Sequence, residues 1–139
     1  VIGLKTAEEI KISIGSAIKV PKDQAKVTIV RGRNAINGMP SSVRVNSNEI
    51  ADALTNSVNK ITAASRAVLE VTPPELASDI IDRGVILTGG GALLHGIDKV
   101  ISKALTVPVI VSEKPLDNVA RGAGALLEHM NKNDDSSRN

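Results

Sequence analysis

Apolar residues follow three patterns along this chain, and each predicts a different element. Ala7, Ile10, Ile14 and Ala17 recur at three- and four-residue intervals, the spacing of one helical face. Thr6-Ala7-Glu8-Glu9 reads as a capping box with Thr6 at N-cap and Glu9 at N3, and Gly15 and Pro21 end the helix. Over 26–36 the period changes: Val27 and Ile29 alternate with Thr28, and β-branched residues dominate, as in a strand. Asn37-Gly38 tolerates positive φ and predicts the hairpin turn, with Val43-Arg44-Val45 as the returning arm. Asn46, with Glu49 three residues on, caps the longest element. There Ile50, Leu54, Val58, Ile61, Ala64, Val68 and Val71 form one stripe along a helix of ~24 residues, about 36 Å long. Thr72-Pro73-Pro74-Glu75 ends it and opens another helix, with Thr72 as cap and Pro73 at the first helical position.

From Arg83 onward the pattern is α/β. Val85-Ile86-Leu87-Thr88 is a continuous apolar run, the mark of a strand buried on both faces. Gly89-Gly90-Gly91 makes the turn, and Ala92 to Leu105 is expected as one helix with Leu94, Ile97, Ile101 and Leu105 along a single face. Val107 to Val111 is a second strand with Pro108 near its start, and strand, helix and strand form a right-handed parallel βαβ unit. A last helix is expected over 117–130 and a frayed polar tail over 131–139. Two parallel strands leave open edges, so self-association is expected.

The 139 residues are enough for one core, and the 42% apolar and 23% charged fractions are those of a globular chain. The absence of cysteine removes disulfides and thiolate chemistry, and His95 and His129 are the only histidines. The chain also lacks Phe, Trp and Tyr, so the stacking platforms used for single-stranded nucleic acid are missing and no nucleic-acid partner is expected. Seventeen basic and fifteen acidic residues are interspersed. The densest basic run, Lys19, Lys22, Lys26, Arg31 and Arg33, reads as a solvated hairpin rim, shorter than a phosphate-tracking groove requires. No run reaches the ~18–20 apolar residues of a membrane helix and no signal-peptide pattern opens the chain, so a cytoplasmic setting is expected. Val1 to Lys5 has no initiating methionine, and the chain is expected to begin inside a longer protein.

Candidate chemistry concentrates at the glycine turn. Gly89, Gly90 and Gly91 would let a ligand approach the backbone, and a following helix N-terminus would offer N–H groups; a plain tight turn is the alternative. Ala92-Leu93-Leu94 matches neither a phosphate-loop Lys-Ser/Thr pair nor a dinucleotide fingerprint. Glu8 and Lys11 share a helix face, as a surface ion pair or as a polar clamp for a sugar hydroxyl or purine edge. His95 reads as a surface helix residue, and Arg121 as one half of an ion pair. No catalytic residue and no metal-ligand cluster is found.

Several segments, in order, resemble the MreB-type bacterial actins, specifically the second half of such a protein. They are Thr6-Ala7-Glu8-Glu9-Ile10-Lys11, Arg31-Gly32-Arg33-Asn34, Asn46-Ser47-Asn48-Glu49-Ile50, Pro73 to Ile80, Gly84 to Leu94, and Pro108 to Val111 through Pro115-Leu116 to Val119-Ala120-Arg121-Gly122. The resemblance runs from about Gly3 to Met130. It implies an actin-like ATPase fold, second half, with residues 1–20 and 72–130 as a larger nucleotide-cleft subdomain and 21–71 as a small outer subdomain used in filament contacts. It implies ATP as ligand, with Glu8, Glu9, Ile10 and Lys11 along the purine and ribose and Gly89, Gly90, Gly91 and Ala92 as the adenosine-side loop. It further implies a filament subunit that helps determine rod shape, peripheral to the inner membrane, with self, an N-terminal half and the membrane-associated wall-elongation machinery as partners. The family's phosphate loops, its magnesium-coordinating acid and its water-positioning residues are expected upstream of Val1. Intact members hydrolyse ATP; this chain alone is expected not to, since phosphoryl transfer depends on positioning and charge stabilisation. A free-standing interaction or nucleotide-sensing module is the alternative. A sugar-kinase-type enzyme would require polar substrate clusters that are not found, and a chaperone ATPase a further domain after Met130.

Overall fold

The computed structural model describes residues 1–117. The expected helix over 117–130 lies outside them except for Asp117, as does the tail 131–139. The elements are α1 (Leu4–Ile14), β1 (Val27–Arg33), β2 (Pro40–Asn46), α2 (Ser47–Glu70), α3 (Pro74–Arg83), β3 (Val85–Leu87), a single 3₁₀ turn (Gly90–Leu93), α4 (Ile97–Leu105) and β4 (Val109–Val111). β1 and β2 pair antiparallel; β3 and β4 pair parallel around the 3₁₀ turn and α4.

Helix starts show where local sequence signals win and where they lose. α1 begins at Leu4 with Gly3 as N-cap, so the predicted Thr6 cap is wrong by most of a turn. The Gly3 carbonyl accepts from Ala7 N–H at 3.0 Å, and Leu4 and Lys5 are good helix formers that let the ladder start early. α3 likewise takes Pro73 as N-cap and Pro74 at its start, whereas Thr72 Oγ1 donates to the Val68 carbonyl at 2.7 Å and closes α2 instead of capping α3. At α2 the capping box forms as predicted: Glu49 N–H donates to Asn46 Oδ1 at 3.0 Å, and Asn46 N–H to Glu49 Oε2 at 2.9 Å.

The two residues after that cap tie the chain together. Ser47 N–H donates to the Lys26 carbonyl and Lys26 N–H to Ser47 Oγ, closing the base of the hairpin. Asn48 clamps the segment before it, accepting from Val20 N–H at 2.9 Å and donating to the Val20 carbonyl at 2.8 Å. At the other end of the hairpin, the register Arg33↔Pro40 leaves a loop over 34–39, wider than an Asn-Gly turn. Asn34 Oδ1 accepts from Ile36 N–H at 2.8 Å, an Asx turn that sets the wider loop, and only Gly38 takes positive φ, at 73°.

The core sits where α2 crosses the parallel unit. Val58 of α2 meets Ile97 and Ile101 of α4, and Leu54, Ala17, Leu87, Leu94, Leu105 and Val109 close around them. Arg66 Nη2 caps the end of α4 by donating to the Ala104 carbonyl at 2.7 Å. Of the predicted α2 stripe only Val58 is buried, with Ile50 and Leu54 half-buried; Ser47 and Ala51, outside that stripe, are the other buried positions, and Ile61, Ala64, Val68 and Val71 are exposed, the last two at 64% and 82%. β3 and β4 are covered on one face only, whereas the apolar run Val85 to Thr88 predicts burial of β3 on both. Leu87 and Val109 face α4, while Ile86 and Ile110, opposite each other in register, are exposed because no described element packs on them.

Replacing Val58 by alanine removes a buried branch from this junction and should lower stability by about 2 kcal/mol. Asn48→Ala, which frees both backbone groups of Val20, should cost about 1–2 kcal/mol. Urea titrations followed by far-UV circular dichroism check both; unchanged midpoints would mean that neither contact holds the fold.

Candidate functional site

The glycine turn stands between β3 and α4. Gly89 has φ 81°, and its N–H donates to the Pro115 carbonyl at 2.7 Å. The helix predicted to run unbroken from Ala92 to Leu105 is two pieces: the 3₁₀ turn, then α4 starting at Ile97. Leu94 is extended and Gly96 left-handed at φ 77°, so α4 is not the helix that leaves the triple glycine. Packing at the break requires glycine. A Cβ on Gly96 would lie 2.6 Å from Ile18 Cγ1, a close approach that only glycine permits.

That close approach joins the turn to α1. Ser16 and His95 form a parallel bridge, and Ala17 N–H donates to the His95 carbonyl at 2.8 Å. Ser16 is buried, and its Oγ donates to the Ile18 carbonyl at 2.7 Å. The C-terminal end of α1 is therefore fixed against the strand-like segment that leaves the glycine turn. His95 is exposed, as predicted, but sits in this break and not on a helix.

The eight candidate residues divide by surroundings. Glu8, Glu9 and Lys11 project from α1 into solvent, and Lys11 Nζ lies 3.8 Å from Glu8 Oε1. As an exposed i,i+3 pair this contact contributes about 0–1 kcal/mol to stability. Ile10 is buried in the core face of α1, and Ala92 is buried under the turn, so these two side chains position the others. Cβ atoms built on Gly89 and Gly91 would meet nothing within 4 Å, whereas one on Gly90 would touch Leu116 at 3.3 Å. The backbone at Gly89 and Gly91 thus faces open space that a ligand could enter. A hollow of about 90 Å³ lies beside the α1 end, lined by Gly15, Ser16 and His95 among others, and a wider one of about 410 Å³ lies between Val1-Ile2 and the hairpin. Neither is lined by Glu8, Lys11 or Gly89 to Gly91.

Sequence reasoning missed Ser16, Asn48 and the positioning role of Gly96. The signal for Gly96 was present, as a glycine inside an apolar-periodic helix. Arg121 and His129 lie outside the described residues. Among the described residues no group of three His, Asp or Glu side chains is placed to hold a metal ion, and no helix is long and apolar enough to cross a membrane.

These features define an α/β chain, and comparison with solved structures matches it to part of an actin-like fold. The chain superposes with a TM-score of 0.88 on MreB5 of Spiroplasma citri bound to ADP, at 36% identity over 96% of this chain and 40% of that one. The AMPPNP-bound form gives 0.89 at 35% identity, over 98% and 40%. Residues 1–135 match the family described as MreB/Mbl protein, and the chain belongs to that family. It is 49% identical over 131 residues to the cell shape-determining protein Mbl of Bacillus subtilis (strain 168), covering 94% of this chain and 39% of that protein. To the cell shape-determining protein MreB of Escherichia coli (strain K12) it is 50% identical over 127 residues, 91% of this chain and 36% of that protein. The chain spans about two-fifths of the length of these relatives.

Gly96→Ala should lower stability by at least about 1 kcal/mol, because it adds a Cβ at positive φ against Ile18. Gly91→Ala faces open space and should change stability by less than about 0.5 kcal/mol. Thermal melts of the two variants check the contrast, and equal losses would sink the distinction.

Proposed function

We propose that this chain is the C-terminal half of a nucleotide-binding bacterial actin, a filament subunit that helps determine rod shape, and that it supplies the adenosine-side wall of the ATP cleft. One observation carries the reading: the Ser16–His95 bridge fixes the end of α1 beside the segment leaving the glycine turn, which faces open space at Gly89 and Gly91. Glu8 and Lys11, with Glu9 beside them, would meet the purine and ribose, and the backbone of Gly89 to Gly91 would follow the nucleoside. Ile10 and Ala92 hold these two walls from beneath. The ADP- and AMPPNP-bound states of the structural relatives support a nucleotide as the ligand. Residues 1–20 and 72–130 would form the larger subdomain beside the cleft, and 21–71 the small outer one.

Phosphoryl transfer requires charge stabilisation around the phosphates, and this chain contributes contacts to the nucleoside end. Among the described residues no carboxylate cluster fits a magnesium ion, and none is assigned to it. Hydrolysis, filament growth and contact with the membrane-associated wall-elongation machinery belong to the complete protein.

The test is calorimetric titration of ATP into the 139-residue chain, alone and together with the N-terminal part of the protein. Binding should appear only on reconstitution, and the chain alone should release no phosphate. In the reconstituted protein Gly91→Val should weaken binding about tenfold by filling the open space, and Lys11→Ala by a smaller factor. Absence of binding to the reconstituted, folded protein would overturn the nucleotide reading in favour of a free-standing interaction module. Turnover by the chain alone at the rate of an intact relative would overturn the assignment of catalysis elsewhere.

A further inference from the structure

The hairpin loop 34–39 carries the one asparagine of this chain that is followed by glycine, Asn37-Gly38. Both residues are exposed, and Gly38 takes φ 73° with nothing within 4 Å of where a Cβ would stand. Met39 N–H donates to Asn37 Oδ1 at 3.1 Å, so the Asn37 carboxamide is folded back over its own main chain, on the side where Gly38 N lies. The same bond polarises the carboxamide carbonyl, as a donor does where negative charge develops on oxygen. Charge in this stretch has one sign. From residue 24 to residue 48 there are four basic side chains, Lys26, Arg31, Arg33 and Arg44, and no acidic one. Positive surroundings favour a step that builds negative charge.

The neighbouring asparagines lack this combination. Asn34 is in the same loop and makes the same kind of turn, its Oδ1 accepting from Ile36 N–H at 2.8 Å, but the residue after it is Ala35, whose Cβ crowds the backbone nitrogen. Asn46 and Asn48 are half-buried, with their side chains held by Glu49 and Val20. Asn56 and Asn59 lie within α2, where the N–H of the following residue belongs to the helix ladder.

We propose that Asn37-Gly38 is a site of spontaneous deamidation in the folded protein, with water as the co-reactant. Hydroxide from solvent removes the Gly38 amide proton, and that nitrogen attacks Asn37 Cγ. The new C–N bond closes a succinimide ring; the Cγ–Nδ2 bond breaks, and Nδ2 leaves as ammonia with a proton from water. Gly38 N–H donates to the Asn34 carbonyl at 3.0 Å, and this exposed bond opens in the first step. Water then adds to one of the two imide carbonyls and the ring opens. Addition at Cγ gives aspartate; addition at the Asn37 main-chain carbonyl carbon gives isoaspartate, whose main chain runs through Cβ and Cγ. Either product places a carboxylate in this basic stretch. Isoaspartate also lengthens by one carbon the main chain between Asn34 and Met39, the segment that the Asn34 N–H to Met39 carbonyl bond closes at 2.9 Å. This chemistry is independent of the nucleotide reading.

The test uses the complete protein carrying this segment, kept folded in neutral and in weakly alkaline buffer and then digested with trypsin under weakly acidic conditions. Cleavage after Arg33 and Arg44 releases the peptide Asn34–Arg44, in which tandem mass spectrometry locates the exchange of an amide for a carboxyl group. Asn37 is expected to convert at a rate within about tenfold of that in the free peptide, and faster in the alkaline buffer, while Asn34 keeps its amide. Isoaspartate should exceed aspartate and accept a methyl group from a protein-isoaspartate methyltransferase. Gly38→Ala should slow conversion about tenfold or more, and Asn37→Gln should stop it, because its ring closure is one atom larger. Circular dichroism matching the parent shows that both variants are folded. Conversion in the folded protein more than about tenfold slower than in the free peptide would overturn the site, as would equal conversion at Asn34. Aspartate formed without isoaspartate would overturn the succinimide route, and Gly38→Ala converting at the parent rate would overturn the part given to glycine.

Discussion

The junction of α2 with α4 is the contact on which the arrangement depends. Val58, Ile97 and Ile101 meet there, and they are the only buried hydrophobic residues that form one mutual cluster among the described residues. The parallel pair touches this cluster through Leu87 and Val109, the α1 end through Ala17, and the glycine turn through Leu94. Without aromatic side chains, every one of these contacts is made by an aliphatic group, so the cluster gains its energy from close packing of many small surfaces. A long helix seated at one point also acts as a strut. It carries the hairpin at one end and delivers the chain to α3 at the other.

Polar groups complete what that small core leaves loose. Asn46, Ser47 and Asn48 are consecutive, yet each serves a different partner: the first turn of α2, the base of β1, and the segment after α1. One helix start thereby fixes three neighbours. The same economy appears at Ser16 and His95, where a backbone bridge aligns the end of α1 with the glycine turn. Surfaces that neither packing nor hydrogen bonding covers, at Ile86, Ile110, Val68 and Val71, fit a chain spanning about two-fifths of its relatives.

Much of the fold was legible because its signals are local. The α2 capping box needs only Asn46 and Glu49, and the stripe along α2 is a property of spacing, so start and length both agree with the structure. The order of strand, turn, helix and strand after Arg83 is similarly written in apolar runs and glycines. Local signals failed where two of them competed. Thr6 and Thr72 both have capping chemistry, but Gly3 and Pro73 lie closer to where the backbone ladder starts, and the threonines lost. Asn34 took the hairpin loop from Asn37-Gly38 because its side chain could reach two backbone N–H groups at once.

The sequence by itself determined the class of the chain, the elements and the family, since periodicity, caps and ordered motifs depend on neighbours within a turn or a strand. The tertiary structure decided which faces are used and what stands beside what. Position 96 requires glycine because Ile18, distant in sequence, occupies the space a Cβ would need, and its φ of 77° disfavours any other residue. This approach lies at the break in the predicted helix and beside the bridge that joins the end of α1 to the glycine turn. Spacing along a chain carries no record of such an approach, because the cost of a clash exists only once both segments have arrived.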